Sequence, residues 1–486
     1  MNALILLLGL PWVLGGIHLL LDLPPSTASR LNGSGFLMCL LASVYLVLPV
    51  FAHPERLWLH NLFYIDALNS VFIVLTALIA TTTAFYAGPY MQVEVARGRL
   101  TPQRLRLFHA IFAVLVGMMF ICLSTNHLGL LWVALEAATL SAVLMVGIYR
   151  TAASFEAAWK YFILGGIGII FALFGIILIY LAANRVRAVG GDALLWNHLW
   201  SMRSVLQPSI MAMAFVFILA GFGTKAGLVP WHSWLPDAHA EGPTPISAVL
   251  SGLLLNVALY ALLRCKVLVE GALHAQWPSQ LLMACGILSL LTATLRLQEQ
   301  TDVKRLFSYS SIEHMGLISF GFGLAGSLAH AAALLQVILH ALIKSSIFFA
   351  VGHAVQKAGD QRIAHIRGLM YVSGRTGWGL LLGTLAIVGM PPFGLFRSEL
   401  LLVQVAAQQQ PWALPLMAVG LIIALACLLR PVQQMVWGEP VPMQHLPYRP
   451  HRLPMVVHLG LALFLGIFMP PVLWQLLLQA TEMTRG

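Results

Sequence analysis

Apolar residues in this chain form long runs that are separated by short polar segments. Runs of about 18 or more apolar residues are long enough to cross a bilayer as helices, and they recur from one end of the chain to the other. The pattern predicts about fourteen membrane spans. They lie near 3–22, 34–52, 63–87, 108–124, 128–149, 156–182, 208–230, 243–265, 279–298, 307–327, 329–355, 376–403, 412–430 and 454–478.

The composition supports the fold class that the pattern predicts. Hydrophobic residues make up 59% of the chain and charged residues 9%, whereas soluble globular proteins contain about 25% charged residues. No segment between the spans is long enough to form a soluble domain. We therefore predict an all-α polytopic membrane protein, and we assign the net charge of +10 to solvated loops and not to nucleic-acid binding.

The distribution of Lys and Arg predicts the topology. Loops after odd-numbered spans are rich in cations, whereas the opposite loops hold few, such as Arg185 and Arg187. Because basic loops stay in the cytoplasm, both termini are predicted to face outward. The two largest basic groups are Arg97, Arg99, Arg104 and Arg106, and Lys357, Arg362, Arg367 and Arg375.

Four cations and two carboxylates inside the predicted spans are candidates for an ion path. A cation at the centre of a membrane helix costs about 2.5–3.5 kcal/mol on insertion scales, and such residues usually face the bundle interior and mark ion paths. The six residues are Lys160, Lys225, Lys344, Arg397, Glu136 and Glu399.

Two of these residues lie beside breaks in apolar helices. In "TKAGLVPWHSWLPDAHAEGPTP", Lys225 precedes Pro230, which removes a backbone donor and interrupts the helix; in "GMPPFGLFRSELLL", a Pro-Pro pair precedes Glu399. Two broken segments in matching places predict a transporter built from inverted repeats, with ion sites at the breaks. The alternatives are a lysine that reaches the membrane interface and two unrelated proline kinks.

Further polar residues could extend an ion path. Gln336, His340 and Lys344 repeat every fourth position, so they form one stripe on a helix face, and histidine can relay protons. His232 and His239 follow the first break, where they either line a proton uptake path or cap the broken ends.

The sequence gives no sign of a cofactor in this chain. The five cysteines are scattered singly and form no CxxC pair, so we predict neither an iron–sulfur cluster nor a zinc site. His340 and His353 have a spacing that can hold haem, but no matching pair lies on a second helix.

These motifs together resemble those of the antiporter-like membrane subunits of respiratory complex I, Mrp cation/proton antiporters and group 4 membrane-bound hydrogenases. The resemblance covers about residues 60–430, and residues 221–264 and "QTDVKRLFSYSSIEHMG" carry most of it. The stretches "NVALYALLR", "HALIKSSIFF" and "GMPPFGLFRSE" are most similar to those of the F subunit of hydrogenase 4 and its relatives.

The resemblance implies fourteen helices with the seventh and twelfth broken. Helices four to eight and nine to thirteen would form two inverted five-helix repeats. The implied divisions are an N-terminal part at 1–107, the two repeats at 108–265 and 279–430, and a last helix with a short C-terminus at 454–486.

The resemblance also implies a row of protonatable groups. Glu136 and Lys225 match an ion pair whose opening gates proton movement in the family, Lys344 with His340 matches a central site, and Glu399 matches an exit residue. Asn256 falls where several relatives have lysine, so its role as a water or hydrogen-bond site stays open. Asp302 and Lys304 form either a solvated charge cluster or a docking site.

The function implied is that of a proton-translocating subunit in a redox-driven complex of hydrogenase-4 or complex I type, in a bacterial or archaeal cell membrane. Its expected partners are other membrane subunits, a soluble redox arm that carries iron–sulfur clusters and in hydrogenases NiFe, the lipid bilayer, and protons or Na⁺. The alternatives are a Mrp-type Na⁺/H⁺ antiporter, a membrane partner in inorganic carbon uptake, and a scaffold that no longer transports ions.

Overall fold

The structure is a computed structural model that describes residues 2–51, 55–59, 61–186, 190–448 and 450–485. Arg187, one of the cations used for the topology, lies outside these ranges. The described part is almost entirely helical, as the apolar runs predict, and it contains one small hairpin between its second and third helices.

Nineteen helices can be traced in the described residues. Several are halves of broken spans. They are α1 (Asn2–Leu20), α2 (Pro25–Val47), α3 (Ala67–Ala96), α4 (Pro102–Ser124), α5 (Leu128–Val146), α6 (Ala152–Val186), α7 (Trp196–Met202), α8 (Pro208–Lys225), α9 (Trp234–Glu241), α10 (Thr244–Val249), α11 (Leu255–Leu273), α12 (Trp277–Leu297), α13 (Val303–Gly323), α14 (Ser327–Ala358), α15 (Leu369–Ile387), α16 (Gly394–Gln409), α17 (Ala413–Trp437), α18 (Leu453–Ile467) and α19 (Pro471–Glu482).

Eleven helices in the described residues are long and apolar enough to cross a membrane. A twelfth span results if α18 and α19, which meet at 85°, are taken as one. The prediction of a multi-pass helical membrane protein is therefore confirmed, but the count of fourteen is not. One reason is that α13 carries Lys304 and Arg305 in its first turn and Glu313 near its middle, which makes it less apolar than a lipid-facing helix.

The centre of the bundle is formed by α10–α11 and α14. The most apolar stretch of each is completely buried inside the protein. A single π turn at Leu250–Leu254 joins α10 to α11, and α14 runs unbroken for 32 residues. Because protein surrounds these helices on every side, polar residues on them avoid contact with lipid.

The hairpin replaces the start of the predicted third span. Strands β1 (Glu55–Trp58) and β2 (Phe63–Asp66) pair antiparallel, and Asp66 then caps α3 by accepting a hydrogen bond from the backbone N–H of Asn69 at 2.9 Å. The same carboxylate lies 2.7 Å from Arg264, and both side chains are buried. This ion pair, which the sequence did not predict, ties the start of α3 to α11.

The loops after α3 and after α14 lie at the same end of the bundle. The guanidinium of Arg99 in the first loop donates to the carbonyl oxygen of Gly359 in the second at 3.4 Å. In the second loop, burial acts to raise the pKa of Asp360, but hydrogen bonds from Arg362 and His365 lower that pKa to about 2. We call this end, which carries the two largest basic groups, the arginine-rich face.

Glycines allow a close helix contact in the second half of the chain. A Cβ at Gly286 of α12 would lie 2.6 Å from the carbonyl oxygen of Gly316 in α13, and a Cβ at Gly316 would lie 2.6 Å from the carbonyl oxygen of Gly286. Small residues at such crossings let two backbones approach closely in membranes. The α12–α13 pair therefore depends on both glycines.

We predict that Gly286→Ala lowers the thermal unfolding temperature of the purified protein by several degrees, because overpacking against backbone atoms typically costs about 1–3 kcal/mol. The matched control is Gly166→Ala, since a Cβ at Gly166 meets nothing within 4 Å. Equal unfolding temperatures for the two variants would contradict this packing.

Candidate functional site

The first candidate group is an ion pair between α5 and α8. Lys225 is the last residue of α8, and its Nζ lies 3.1 Å from Oε2 of Glu136. The lysine side chain is 1% exposed and the carboxylate is 19% exposed. Gly165 of α6 makes room for the ammonium group, since a Cβ there would lie 3.0 Å from Nζ.

The chain leaves its helix directly after Lys225. Gly227 has φ +74°, a conformation that favours glycine, and the backbone N–H of Leu228 closes the helix end on the carbonyl oxygen of Gly223 at 2.9 Å. The indole of Trp234, the first residue of α9, donates to the carbonyl oxygen of Thr224 at 2.9 Å. Non-helical backbone at this depth is stable because protein encloses it.

The second candidate group centres on Lys344 of α14. Its side chain is buried, and Nζ donates to the backbone carbonyl oxygen of Phe307 in α13 at 2.6 Å. Glu313 of α13 is close enough to act electrostatically on this ammonium group. One Glu313 oxygen, Oε2, has no hydrogen-bond partner among the described residues. A buried lysine and a buried carboxylate therefore belong to one group here as well.

Two histidines lie beside Lys344. The ring centroids of His314 and His340 are 5.5 Å apart, and neither ring nitrogen of His340 has a partner in the described part of the chain. Gln336 Nε2 lies 3.3 Å from His314 Nδ1, and the hydroxyl of Ser398 donates to Gln336 Oε1. The predicted polar stripe of α14 thus reaches from Lys344 to α16.

Glu399 of α16 completes this group. Its Oε1 lies 4.0 Å from Nδ1 of His314, and its Oε2 lies against Gly389, where φ is +70°. The carboxyl group is therefore held over the break between α15 and α16. The structure brings Lys344, His340 and Glu399 into one cluster, with Glu136 and Lys225 in another.

The secondary candidates differ in their surroundings. His239 is buried and stacks on Phe348 at 5.0 Å between ring centroids, with neither ring nitrogen partnered among the described residues. His232 is partly buried beside the first break. Asn256 donates from Nδ2 to the carbonyl oxygen of Gly252 at 2.7 Å, across the π turn, so it provides a local hydrogen bond.

Asp302 and Lys304 have structural contacts. Oδ1 of Asp302 caps α13 by accepting from the backbone N–H groups of Lys304 and Arg305 at 2.8 and 2.9 Å, and burial raises the pKa of this carboxyl. Nζ of Lys304 donates to the carbonyl oxygens of Ala240 and Gly242 at 2.8 and 2.6 Å. The interpretation of a solvated charge cluster is wrong for Lys304, which is 4% exposed.

Two members of the second group were missed by the sequence analysis. Glu313 and His314 fall inside the predicted span 307–327, so a complete search of the spans for ionisable residues identifies them. Lys304 lies before that span. The sequence does not show its contacts with the end of α9, because those contacts depend on how the helices pack.

In the part of the chain that the structure describes, no three His, Cys, Asp or Glu residues form a group that could hold a metal ion.

Comparison with known proteins agrees with this architecture. Residues 125–424 match the family described as "NADH:quinone oxidoreductase/Mrp antiporter, TM". The chain belongs to this family. It is 49% identical over 411 residues to a hydrogenase-4 component F homolog of Methylacidiphilum infernorum (isolate V4), which covers 85% of this chain and 86% of that protein.

Two further matches broaden the comparison. NADH-quinone oxidoreductase subunit N of Desulforudis audaxviator (strain MP104C) is 31% identical over 350 residues, which cover 72% of this chain and 67% of that protein. A chain in the structure of the membrane-bound sulfane sulfur reductase, an archaeal respiratory membrane complex, has the same fold, with a TM-score of 0.89 and 23% sequence identity. The match covers 100% of this chain and 98% of that chain. The prediction of an antiporter-like membrane subunit of the complex I, Mrp and hydrogenase superfamily is confirmed.

We predict that Lys304→Met destabilises the protein, because each lost hydrogen bond from a charged donor costs about 1.5–3 kcal/mol. Thermal unfolding of the purified protein checks this prediction. Lys357→Met is the control, since Lys357 is more exposed and makes one long hydrogen bond, 3.3 Å, to Val372. Unchanged stability in Lys304→Met would favour the docking role instead.

Proposed function

We propose that this protein translocates protons as the antiporter-like membrane subunit of a redox-driven complex. The observation that supports the proposal most strongly is the Glu136–Lys225 pair, in which a 1% exposed ammonium group meets a carboxylate at a helix break. Charges inside a membrane protein are costly, and they usually serve ion movement. A pair at a break can also open, since the backbone next to it is not constrained by a helix.

Opening of the pair would release a proton. Desolvation disfavours a buried ammonium group, and a nearby carboxylate compensates for that cost. When a charge change at a neighbouring subunit draws Glu136 away, Lys225 loses this compensation and gives up its proton. The proton then passes toward the central cluster.

The central cluster would receive and pass on that proton. Lys344 accepts it, and His340 and Glu399 carry it to the exit. His340 suits a relay because neither of its ring nitrogens is engaged among the described residues. In this scheme His232 and His239 line the uptake path at the first break, and Asn256 contributes a hydrogen bond where some relatives have a titrating lysine.

We also propose fourteen membrane helices with two inverted repeats at 108–265 and 279–430. The two breaks support this division because their backbone hydrogen bonds correspond residue for residue. At the first break Ala226 donates to Phe222 at 2.8 Å and Leu228 to Gly223 at 2.9 Å; at the second, Val388 donates to Thr384 at 3.1 Å and Met390 to Leu385 at 3.0 Å.

The proposed setting is a bacterial or archaeal cell membrane with both termini outside. The energy would come from a soluble redox arm that carries iron–sulfur clusters, and NiFe if the complex is a hydrogenase. The names of the relatives, hydrogenase-4 component F homolog and NADH-quinone oxidoreductase subunit N, support a redox-driven complex over the Mrp-type Na⁺/H⁺ antiporter and the membrane partner in carbon uptake.

We predict that Lys225→Ala abolishes proton translocation in inverted vesicles that carry the whole complex, because the pair can no longer open and close. Proton movement is recorded with a pH-sensitive dye while redox turnover is measured in parallel. Lys160→Ala is the control, since Lys160 is 47% exposed and pairs with Glu156 and Asp237 at the end of its helix.

Three outcomes separate the hypotheses. Loss of translocation in Lys225→Ala alone supports the proposal. Undiminished proton movement would mean that Lys225 is a structural cation at a helix break. If translocation by the wild type stops when choline replaces Na⁺, the Mrp-type alternative is favoured.

A further inference from the structure

A further buried carboxylate, that of Glu94, lies outside the proposed row of proton-carrying residues. Glu94 of α3 is 1% exposed. Its Oε1 accepts a hydrogen bond from Nε2 of Gln356 in α14 at 2.7 Å, and its Oε2 lies 3.7 Å from Nη1 of Arg99. Because Arg99 is 45% exposed at the arginine-rich face, this carboxylate lies one residue away from solvent.

Glu94 belongs to a stripe of polar groups on α3. Tyr86, Tyr90 and Glu94 are spaced four residues apart, so they share one helix face and together extend about 12 Å along the helix axis. The hydroxyl of Tyr90 lies 3.1 Å from Oγ1 of Thr244. The rings of Tyr86 and Tyr90 are 5.6 Å apart. The stripe therefore leads from the arginine-rich face toward the interior.

The facing side of α14 is also polar. His353 lies 5.3 Å from the ring of Tyr86, and Gly352 leaves space for the Tyr86 hydroxyl. Further along α14, Ser345 is buried next to Lys344 in sequence. Proton donors and acceptors thus line the α3–α14 contact from Glu94 to Tyr86 and His353, and Ser345 lies about 12 Å further along α14.

Several of these groups have no hydrogen-bond partner among the described residues. They include the Tyr86 hydroxyl, both ring nitrogens of His353, and Oγ of Ser345. An unsatisfied buried polar group is destabilising, so packing alone would favour Phe or Ala at such positions. Buried groups of this kind typically bind internal water, which would connect them into a proton path.

We propose that Glu94 is the proton-loading carboxylate of an inlet that runs along the α3–α14 contact to Lys344. This inference rests on the proposed function. Glu94 takes a proton from water at the arginine-rich face and passes it to the hydroxyl and imidazole groups of the stripe. For each proton that enters from Glu94, the stripe releases one proton to Lys344 at its inner end. Only O–H and N–H bonds form and break in these transfers.

Glu94→Gln and Glu94→Asp test the inlet in inverted vesicles that carry the whole complex. Glutamine keeps the shape and the acceptor for Gln356 but cannot carry a proton, so translocation should fall to the level of Lys225→Ala. Aspartate keeps the titrating group and should retain part of the activity. Glu299→Gln is the matched control, because Glu299 is 69% exposed and pairs with Arg296 on the surface.

Tyr86→Phe is a second variant that guards against misfolding. It removes a hydroxyl without a partner in the described residues, so the complex should assemble normally while translocation falls by about a hundredfold, the lower end of the range for one lost proton-transfer group. Complex assembly is measured by size-exclusion chromatography and thermal unfolding.

The outcomes distinguish the inlet from the proposed function. Loss in Glu94→Gln with partial activity in Glu94→Asp supports the inlet. Wild-type translocation in Glu94→Gln, with Lys225→Ala inactive, overturns the inlet and leaves the proposed function intact. Wild-type translocation in both variants overturns the two proposals together.

Discussion

The cost of keeping charged groups inside a membrane bundle is the constraint on which this structure depends. An ammonium or carboxylate group in lipid has no partners, so each must be enclosed by protein and compensated. Here α10–α11 and α14 are completely enclosed over their most apolar stretches. Lys344 lies on α14, and Lys225 lies at the end of α8, where the carboxylate of Glu136 balances its charge.

Broken helices provide the second part of this arrangement. A continuous helix uses its carbonyl groups internally, whereas a helix that ends inside the bundle exposes backbone groups and allows side chains to approach. Lys225 lies at one break, and Glu399 lies against Gly389 of the other. The same local design thus positions a cation in one half of the chain and a carboxylate in the other, with Lys344 as the central group in our proposal.

Local sequence signals predicted the fold class and much of the site. Long apolar runs predict membrane helices, and Pro230 and the Pro391–Pro392 pair predict the breaks, because glycine and proline act on the backbone where they occur. The hairpin before α3 was not predicted, since β2 falls at the start of the apolar third span and β1 falls in the polar loop before it. The acceptor of Lys344, the backbone oxygen of Phe307, could not be predicted because a backbone atom leaves no signal in the sequence.

The most direct test of the central claim, that Glu136 and Glu399 act on one proton path, is a double-mutant cycle of translocation rate per redox turnover in the assembled complex. Glu136→Gln and Glu399→Gln are each expected to slow proton movement, and the double variant should be no slower than the slower single variant, because residues that act as one unit are not additive. A wild-type rate in either single variant would contradict the account.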